Sequence, residues 1–450
     1  MSRHEPRFIA TRIGQRRWRV MVSAVTLVAA LGPFPVGRPV AAQQCSQGTL
    51  RIYASWTMQG SERSWSIGIR NGVEMAVAEA GGGVSGYCLE IVQLDNTSPQ
   101  TGTWDSALEA ANATRAVADP KAIVYLGPNQ SGAAASSIPI TNRAHMAQIS
   151  PGATYPGLTK RIVGTSAPGE PWRYRPLALV NFFRPLSTDD VQGAAAAKWA
   201  KSLGVKSVFI LNDDGTYGKG IANVFEATAK KIGLAVMGNE NVDWSQPQQR
   251  AVLSRIVASG ADLVYMGGVI HAGGSVIIRE MQDAGLVAPR ARVMGPDGLF
   301  VDKLLTGPTC EAAAATEVRV TFPGLPPDRM RGTGAATYEQ YKKTFGTEPT
   351  AFALYAVEAG RIAVDGIRRA AAEIGSARNV RDQREAVRKA IATTRNFEGI
   401  NGTWSFDRNG DVDIDTMSGF RVVKREAPAT CKFQFDTVIL QEGSASPPGH

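Results

Sequence analysis

The chain has 450 residues, near the upper limit for a single hydrophobic core, so two domains of roughly 150–200 residues are expected. Hydrophobic residues make up 44%, charged residues 20% and aromatics 7%; this is the balance of an ordinary globular protein and excludes a disordered chain, a collagen and a multispan membrane protein. The net charge of +9 is unevenly spread: residues 1–42 hold seven arginines and one glutamate, leaving 42 basic and 39 acidic residues elsewhere, a net +3. No basic patch interleaved with aromatics stands out, so no nucleic-acid partner is expected.

The first 42 residues read as an export signal. Arg12, Arg16, Arg17 and Arg19 precede the apolar run 20–31, Gly32 and Pro33 break it, and Val40-Ala41-Ala42 supply small residues before Gln43. Twelve residues are too few to span a bilayer, which takes about 20, but they suit a cleaved signal. Both the general and the twin-arginine export routes remain open. The expected location is periplasmic or extracellular. All four cysteines follow this segment, without a CxxC or Cys/His cluster, so no metal is expected and two disulfides are. Of three possible connectivities, Cys45–Cys88 and Cys310–Cys431 are favoured, because Cys45 and Cys88 lie at the starts of strands expected to be neighbours.

Strand and helix patterns then alternate: strand 50–55, helix 65–80, strand 89–95, helix 104–118, strand 122–126, helix 133–143 and strand 146–149. Residues 155–181, rich in Pro, Gly and Arg, read as a long loop. The alternation resumes with helix 190–203, strand 207–211, helix 220–232, strand 235–242, helix 248–259, strand 263–266, helix 275–284 and strand 292–294. A third section has strand 318–321, helices 333–345, 351–371 and 381–394, then short strands at 402–406, 419–423 and 433–440. The last residues, 441–450, read as a flexible tail. Such βα alternation predicts two α/β lobes, each a doubly wound parallel sheet covered by helices. The charge run 378–389 reads as a solvated helix face.

Ligands of open parallel sheets bind beyond the carboxyl ends of the strands, which directs attention to the loops there. These read GPNQSGAAASS and ISPGATYPGLT in the first series, then NDDGTYGKG, DLVYMGG and VMGPDG in the second. In order and spacing they resemble the branched-chain amino acid binding proteins of ABC importers, the type I periplasmic binding proteins, over essentially the whole chain after the signal. The resemblance implies two Rossmann-like lobes joined by a three-segment hinge. Lobe one would comprise 48–183 plus 318–396, and lobe two 184–317 plus 397–440.

It also implies a site. Ser131 and Thr154 match the hydroxyls that hold a ligand carboxylate with nearby backbone N–H groups, Ala153 among them. Gly152 offers a carbonyl to the ligand ammonium, and Asp297 matches the acid that pairs with it. Tyr217 and Trp65 match aromatics of the opposite wall and cleft mouth. The chemistry is coherent: a carboxylate suits hydroxyl and N–H donors at a helix start, and an enclosed ammonium needs an acid. Taken singly, Ser131 and Thr154 would be caps or turn residues, Asp297 a turn residue and the aromatics packing. Asp297 stands where leucine-type binders carry Glu, and Val269 and Ile270 where an aromatic often stands, so the ligand need not be leucine.

Enzymatic patterns fail on inspection. Residues 81–86 fit GxGxxG but follow a helix and precede a strand, the reverse of a dinucleotide site; residues 215–220 lack the P-loop spacing; no GxSxG or HExxH occurs. Of four histidines, His145 reads as structural, while His271 beyond Gly268 could reach the ligand. The chain is therefore expected to be an exported, monomeric solute-binding protein without cofactor, closing on an amino acid or small carboxylate and delivering it to a membrane ABC permease. The alternative is a ligand sensor of the same fold acting through a membrane receptor or kinase.

Overall fold

The computed structural model describes residues 45–270, 273–426 and 430–442. The expected export signal, His271 and residues 443–450 lie outside them. Among the described residues, no helix is long and apolar enough to cross a membrane.

The first sheet is built from β1 (Gly48–Trp56), β2 (Gly83–Val84), β3 (Tyr87–Asp95), β4 (Ala122–Leu126), β5 (Ala147–Ile149) and β6 (Phe182–Phe183), in the order β2-β3-β1-β4-β5-β6. All pairings are parallel except β2 with β3. The central strand β4, AIVYL, is buried at every residue, the continuous apolar run expected of a strand covered on both faces. Between the strands run α1 (Arg63–Glu79), α2 (Ser106–Ala118) and α3 (Ser131–Arg143). The start of α2 is set locally, since the Asp105 carboxylate accepts from the N–H groups of Ala107 and Leu108.

The second series runs α4 (Asp189–Ser202), β7 (Ser207–Asn212), α5 (Thr216–Lys231), β8 (Ala235–Asn241), α6 (Arg250–Ser259), β9 (Leu263–Gly267), α7 (Gly274–Asp283), β10 (Arg292–Gly295), α8 (Gly307–Ala315) and β11 (Arg319–Pro323). Helix α8 escapes the sequence patterns because its GPTCEAAAA run has no polar face to set against an apolar one. After α9 (Thr333–Phe345), α10 (Ala353–Arg369), α11 (Ala371–Ser376) and α12 (Val380–Ala392) come a small hairpin, β12 (Phe397–Gly399) with β13 (Gly402–Trp404), and the long antiparallel pair β14 (Asp415–Lys424) and β15 (Cys431–Glu442). The second sheet is ordered β15-β14-β11-β10-β9-β7-β8.

Three expectations need correction. Strand β11, placed at the head of lobe one's late segment, pairs parallel with β10 and antiparallel with β14, so it belongs to the second sheet. Only the helices after it return to the first sheet, where α10 packs on α1 and α12 on β4 and β5. The approach of α1 to α10 depends on absent side chains: a Cβ on Gly72 would stand 2.4 Å from the Ala353 carbonyl oxygen. The charge run on α12 is only partly solvated. Arg384 is buried and donates to the carbonyls of Ala122 (2.9 Å), Asp119 (2.8 Å) and Val117 (3.1 Å), tying off the ends of α2 and the start of β4. Residues 441 and 442, read as tail, extend β15.

The loop 155–181 is organised around a buried acid. Glu170 accepts from the Tyr155 hydroxyl (2.7 Å), the Tyr174 hydroxyl (2.9 Å) and the Ala167 N–H (2.9 Å). His145 is structural, its Nδ1 lying 3.0 Å from Glu385 of α12. Both favoured disulfides are formed, Cys45–Cys88 and Cys310–Cys431, with Cα–Cα separations of 5.1 and 5.6 Å. The second clips α8 to the start of β15 across 121 residues. A long closed loop restricts the unfolded chain most, so replacing Cys310 and Cys431 by alanine should lower stability by about 2–4 kcal/mol. Calorimetry should show a larger drop in melting temperature than for the Cys45/Cys88 pair, whose separation is 43 residues.

Candidate functional site

The carboxyl ends of the two parallel sheets face a common cleft with a cavity of about 170 Å³. From the first sheet come the loops after β1, β3, β4 and β5; from the second, those after β7, β9 and β10. Each sheet thus contributes loops on both sides of its topological switch point, β1/β4 in one and β7/β9 in the other.

The loop after β4 must turn sharply into α3. Gly127 adopts φ +96°, and a Cβ there would lie 2.6 Å from both the Ser55 carbonyl oxygen and the Trp56 ring. Helix α3 then begins at Ser131 with no side-chain cap on its first N–H groups. Ser131 and Gly132 line the cleft, so those donors are available to an anion. The Ser131 hydroxyl accepts from the Tyr155 N–H at 3.2 Å, which leaves its proton to donate. Gly132 admits the Trp104 ring, whose nearest atom would stand 2.5 Å from a Cβ.

The loop after β5 is shaped by Ser150, which donates to the Pro128 carbonyl (2.6 Å) and accepts from the Ala153 N–H (2.9 Å). This presents Gly152 to the cleft against Asn129; a Cβ on Gly152 would clash with the Asn129 carboxamide. Ala153 and Thr154, expected at the surface of the site, stand behind it. Both are fully buried and neither lines the cleft. The Ala153 carbonyl is taken by Arg184 at 2.7 Å, and the Thr154 carbonyl accepts from the Asp189 N–H at 3.1 Å.

Across the cleft, the Tyr217 hydroxyl in the first turn of α5 donates to Asp297 Oδ1 at 2.7 Å and accepts from the Gly298 N–H at 3.1 Å. Asp297 is 3% exposed. Burial pushes its carboxyl up to about 6, against the opposing help of the Tyr217 hydrogen bond. Beneath it Asp189, at the head of α4, is fully buried, and burial with the neighbouring Asp297 drives its carboxyl far above the ordinary carboxylate range. Trp65, in the first turn of α1, lines the opposite side edge-on to Phe352, with ring centroids 5.4 Å apart.

A set of uncapped N–H groups and a hydroxyl facing a tyrosine-held carboxylate across a closing distance can hold a small molecule by both ends. The model for the periplasmic binding protein family matches residues 49–427. The chain belongs to that family. Among relatives of this periplasmic binding protein, an amino acid binding protein of Pseudomonas aeruginosa is 30% identical over 61% of this chain and 66% of its own. A Leu/Ile/Val-binding protein of Rhizobium johnstonii is 28% identical over 89% and 96% respectively. Its fold is shared with a leucine binding protein of Thermotoga maritima (TM-score 0.71, 24% identity, covering 86% of this chain and 98% of that one). It is shared also with an ABC transporter solute binding protein of R. palustris in complex with benzoate (TM-score 0.68, 16% identity, covering 88% and 97%).

Of the residues expected at the site, Trp65, Ser131, Gly152, Tyr217 and Asp297 meet at the cleft. Sequence reasoning missed Glu62, Trp104, Asn129, Gln130, Asp213 and Phe352, all of which line it. Gln130 reaches Glu62 across the base of α1; Asp213 holds its own loop, accepting from the N–H groups of Gly215 (3.0 Å) and Val269 (3.3 Å). Asn129 and Gln130 sat inside a loop already singled out, next to Ser131. Phe352 carried no signal, since it enters from a helix start remote in sequence.

The Asp297 carboxyl yields a signed pH dependence. An ammonium ligand needs the ionised acid, so its affinity should rise as pH climbs through about 6 and level off near neutrality. Titration calorimetry between pH 5 and 7.5 checks this, and Asp297→Asn should flatten the profile.

Proposed function

We propose that this protein is the exported solute-binding component of an ABC importer, holding an amino acid or a related small carboxylate between two lobes that close over it. The observation that carries this reading is the placement of the α3 N-terminus and the Ser131 hydroxyl opposite the Tyr217–Asp297 pair in one cleft. The named relatives bind amino acids, and a structural neighbour carries benzoate. A carboxylate is the group their ligands share, and the α3 terminus is suited to it.

In this reading the carboxylate lies at Ser131 and the α3 N–H groups, with the Gly152 carbonyl and Asp297 taking the ammonium when there is one. Tyr217 and Trp65 close the sides. Thr154 acts from behind the wall. Lobe one comprises about 48–183 plus 333–406, since Glu358 of α10 accepts from the Ile400 N–H (2.7 Å) and the Trp404 indole N–H (2.6 Å), and lobe two 184–323 plus 415–440. The crossings run side by side: Thr416 N–H donates to Ser187 Oγ (3.4 Å), and Gly324 N–H to the Thr416 carbonyl (2.9 Å). Rotation there would close the lobes, and ligand contacts made from both sides would stabilise the closed state. Residues 1–42 direct export, the protein acts as a monomer in the periplasm, and a membrane permease receives the ligand.

A thermal-shift panel of amino acids, aliphatic and aromatic carboxylates, amides and sugars tests the reading. A ligand at about 100 times its dissociation constant should stabilise the protein by roughly 2.7 kcal/mol. Sugars or amides alone giving the shift would sink it. Asp297→Ala should cost an amino acid ligand roughly 2–5 kcal/mol of affinity by removing the counter-charge of its ammonium. A carboxylate without an amine should be little affected by the same change.

A further inference from the structure

Behind one wall of the cleft lies a second cavity of about 140 Å³. Its walls include Phe300, Phe322 and Phe420 from the second sheet's side, Leu325 and Met330 from the crossing segment, and Phe352. The polar groups at one end already satisfy one another. The Tyr355 hydroxyl donates to the Pro323 carbonyl (2.9 Å) and accepts from Asn401 Nδ2 (2.7 Å), while Asn401 Oδ1 accepts from the Leu325 N–H (3.0 Å). What is left to a ligand is mostly carbon surface.

Phe352 is the wall common to both spaces. Its ring lies 5.4 Å from Trp65, which faces the cleft, and 5.4 Å from Phe322, which faces the second cavity. It is also held at φ +67°, a left-handed conformation that is rare and strained for a bulky side chain and that gathers at functional sites. The turn after β10 joins the two spaces a second time, with Asp297 facing the cleft and Phe300, three residues on, facing the cavity. There Phe300 stacks on Phe433 (4.1 Å) and meets Phe322 (5.1 Å).

We propose that the second cavity is a side-chain subsite. It receives the apolar end, one aromatic ring, of a ligand whose carboxylate is held at the start of α3, and Phe352 is the partition that turns aside to admit it. The size fits: a protein cavity of about 150 Å³ accepts a benzene ring. A separate small molecule would find few polar groups there to orient it, whereas the end of a ligand already anchored in the cleft needs none. The substrate class is then arylalkyl carboxylates and aryl-bearing amino acids rather than short aliphatic ones. This rests on the solute-binding reading above.

Titration calorimetry with leucine, 2-amino-4-phenylbutanoate and 4-phenylbutanoate separates the two ideas. Each buried methylene is worth about fourfold in affinity, so the phenyl amino acid should bind at least about tenfold more tightly than leucine. Leu325→Trp fills the cavity from a wall that does not touch the cleft. It should weaken both phenyl ligands by about tenfold or more and leave leucine within about twofold. Ala351→Met, a milder filling change, should act in the same direction, and melting curves of each variant confirm folding. The subsite is overturned if wild type prefers leucine, or if both filling variants treat leucine and the phenyl ligands alike. Binding of no amino acid or carboxylate at all would instead overturn the solute-binding reading itself.

Discussion

The buried guanidinium of Arg184 holds together the parts of this molecule on which the site depends. It is fully buried and sits where the chain leaves β6 for the second lobe. Its Nε donates to Asp411 at 2.7 Å, Nη1 to the carbonyls of Ala153 (2.7 Å) and Tyr155 (2.8 Å), and Nη2 to the Thr159 hydroxyl. One side chain thus joins the first crossing, the loop after β5 and the last crossing. Burying a charge is costly unless its hydrogen bonds are met; the planar fork of arginine meets several at once, which an ammonium could not arrange. Asp411 answers with a carboxyl held below its usual range by Arg184 and Lys160 despite its burial.

That anchoring explains the shape of the cleft wall. Arg184 draws the Ala153 and Tyr155 carbonyls inward, so the chain between them runs behind the surface and Gly152 is left facing the cleft. The Tyr155 N–H in turn orients the Ser131 hydroxyl. The long loop 155–181 continues from the same point and stays packed because Glu170 collects three donors. A Cβ on Gly220 of α5 would fall 2.5 Å from the Tyr155 ring, so this loop also meets the opposite lobe beside the cleft.

The electrostatic character of the far wall comes from burial rather than from a strong counter-charge. Asp297 is close enough to raise the proton affinity of Asp189, and water is largely excluded from both. Tyr217 steadies Asp297 by a single hydrogen bond. A carboxyl held in this way gains most from a cation brought to it, since burial is what opposes its charge.

Much of this was legible in the sequence. Apolar runs of four to six residues alternating with helix-length amphipathic patterns declare parallel sheets, since a strand covered on both faces has no polar side to show. Loops rich in Gly, Ser and Asp at the strand ends mark the cleft, because only there can backbone and small polar groups converge on a ligand. Five of the residues that the family resemblance implied, Trp65, Ser131, Gly152, Tyr217 and Asp297, do converge. The Cys45–Cys88 pair followed from strand adjacency, which left Cys310 to Cys431. Tertiary structure decided the rest. Ala153 and Thr154 turned behind the wall because a distant arginine takes the Ala153 and Tyr155 carbonyls, and β11 joined the second sheet because β10 and β14 offered it both edges. Phe352 reached the site from a helix start more than two hundred residues after Ser131. Local patterns record which face of an element is apolar; they hold no information about which remote element will cover it, and that pairing is settled only when the two lobes pack.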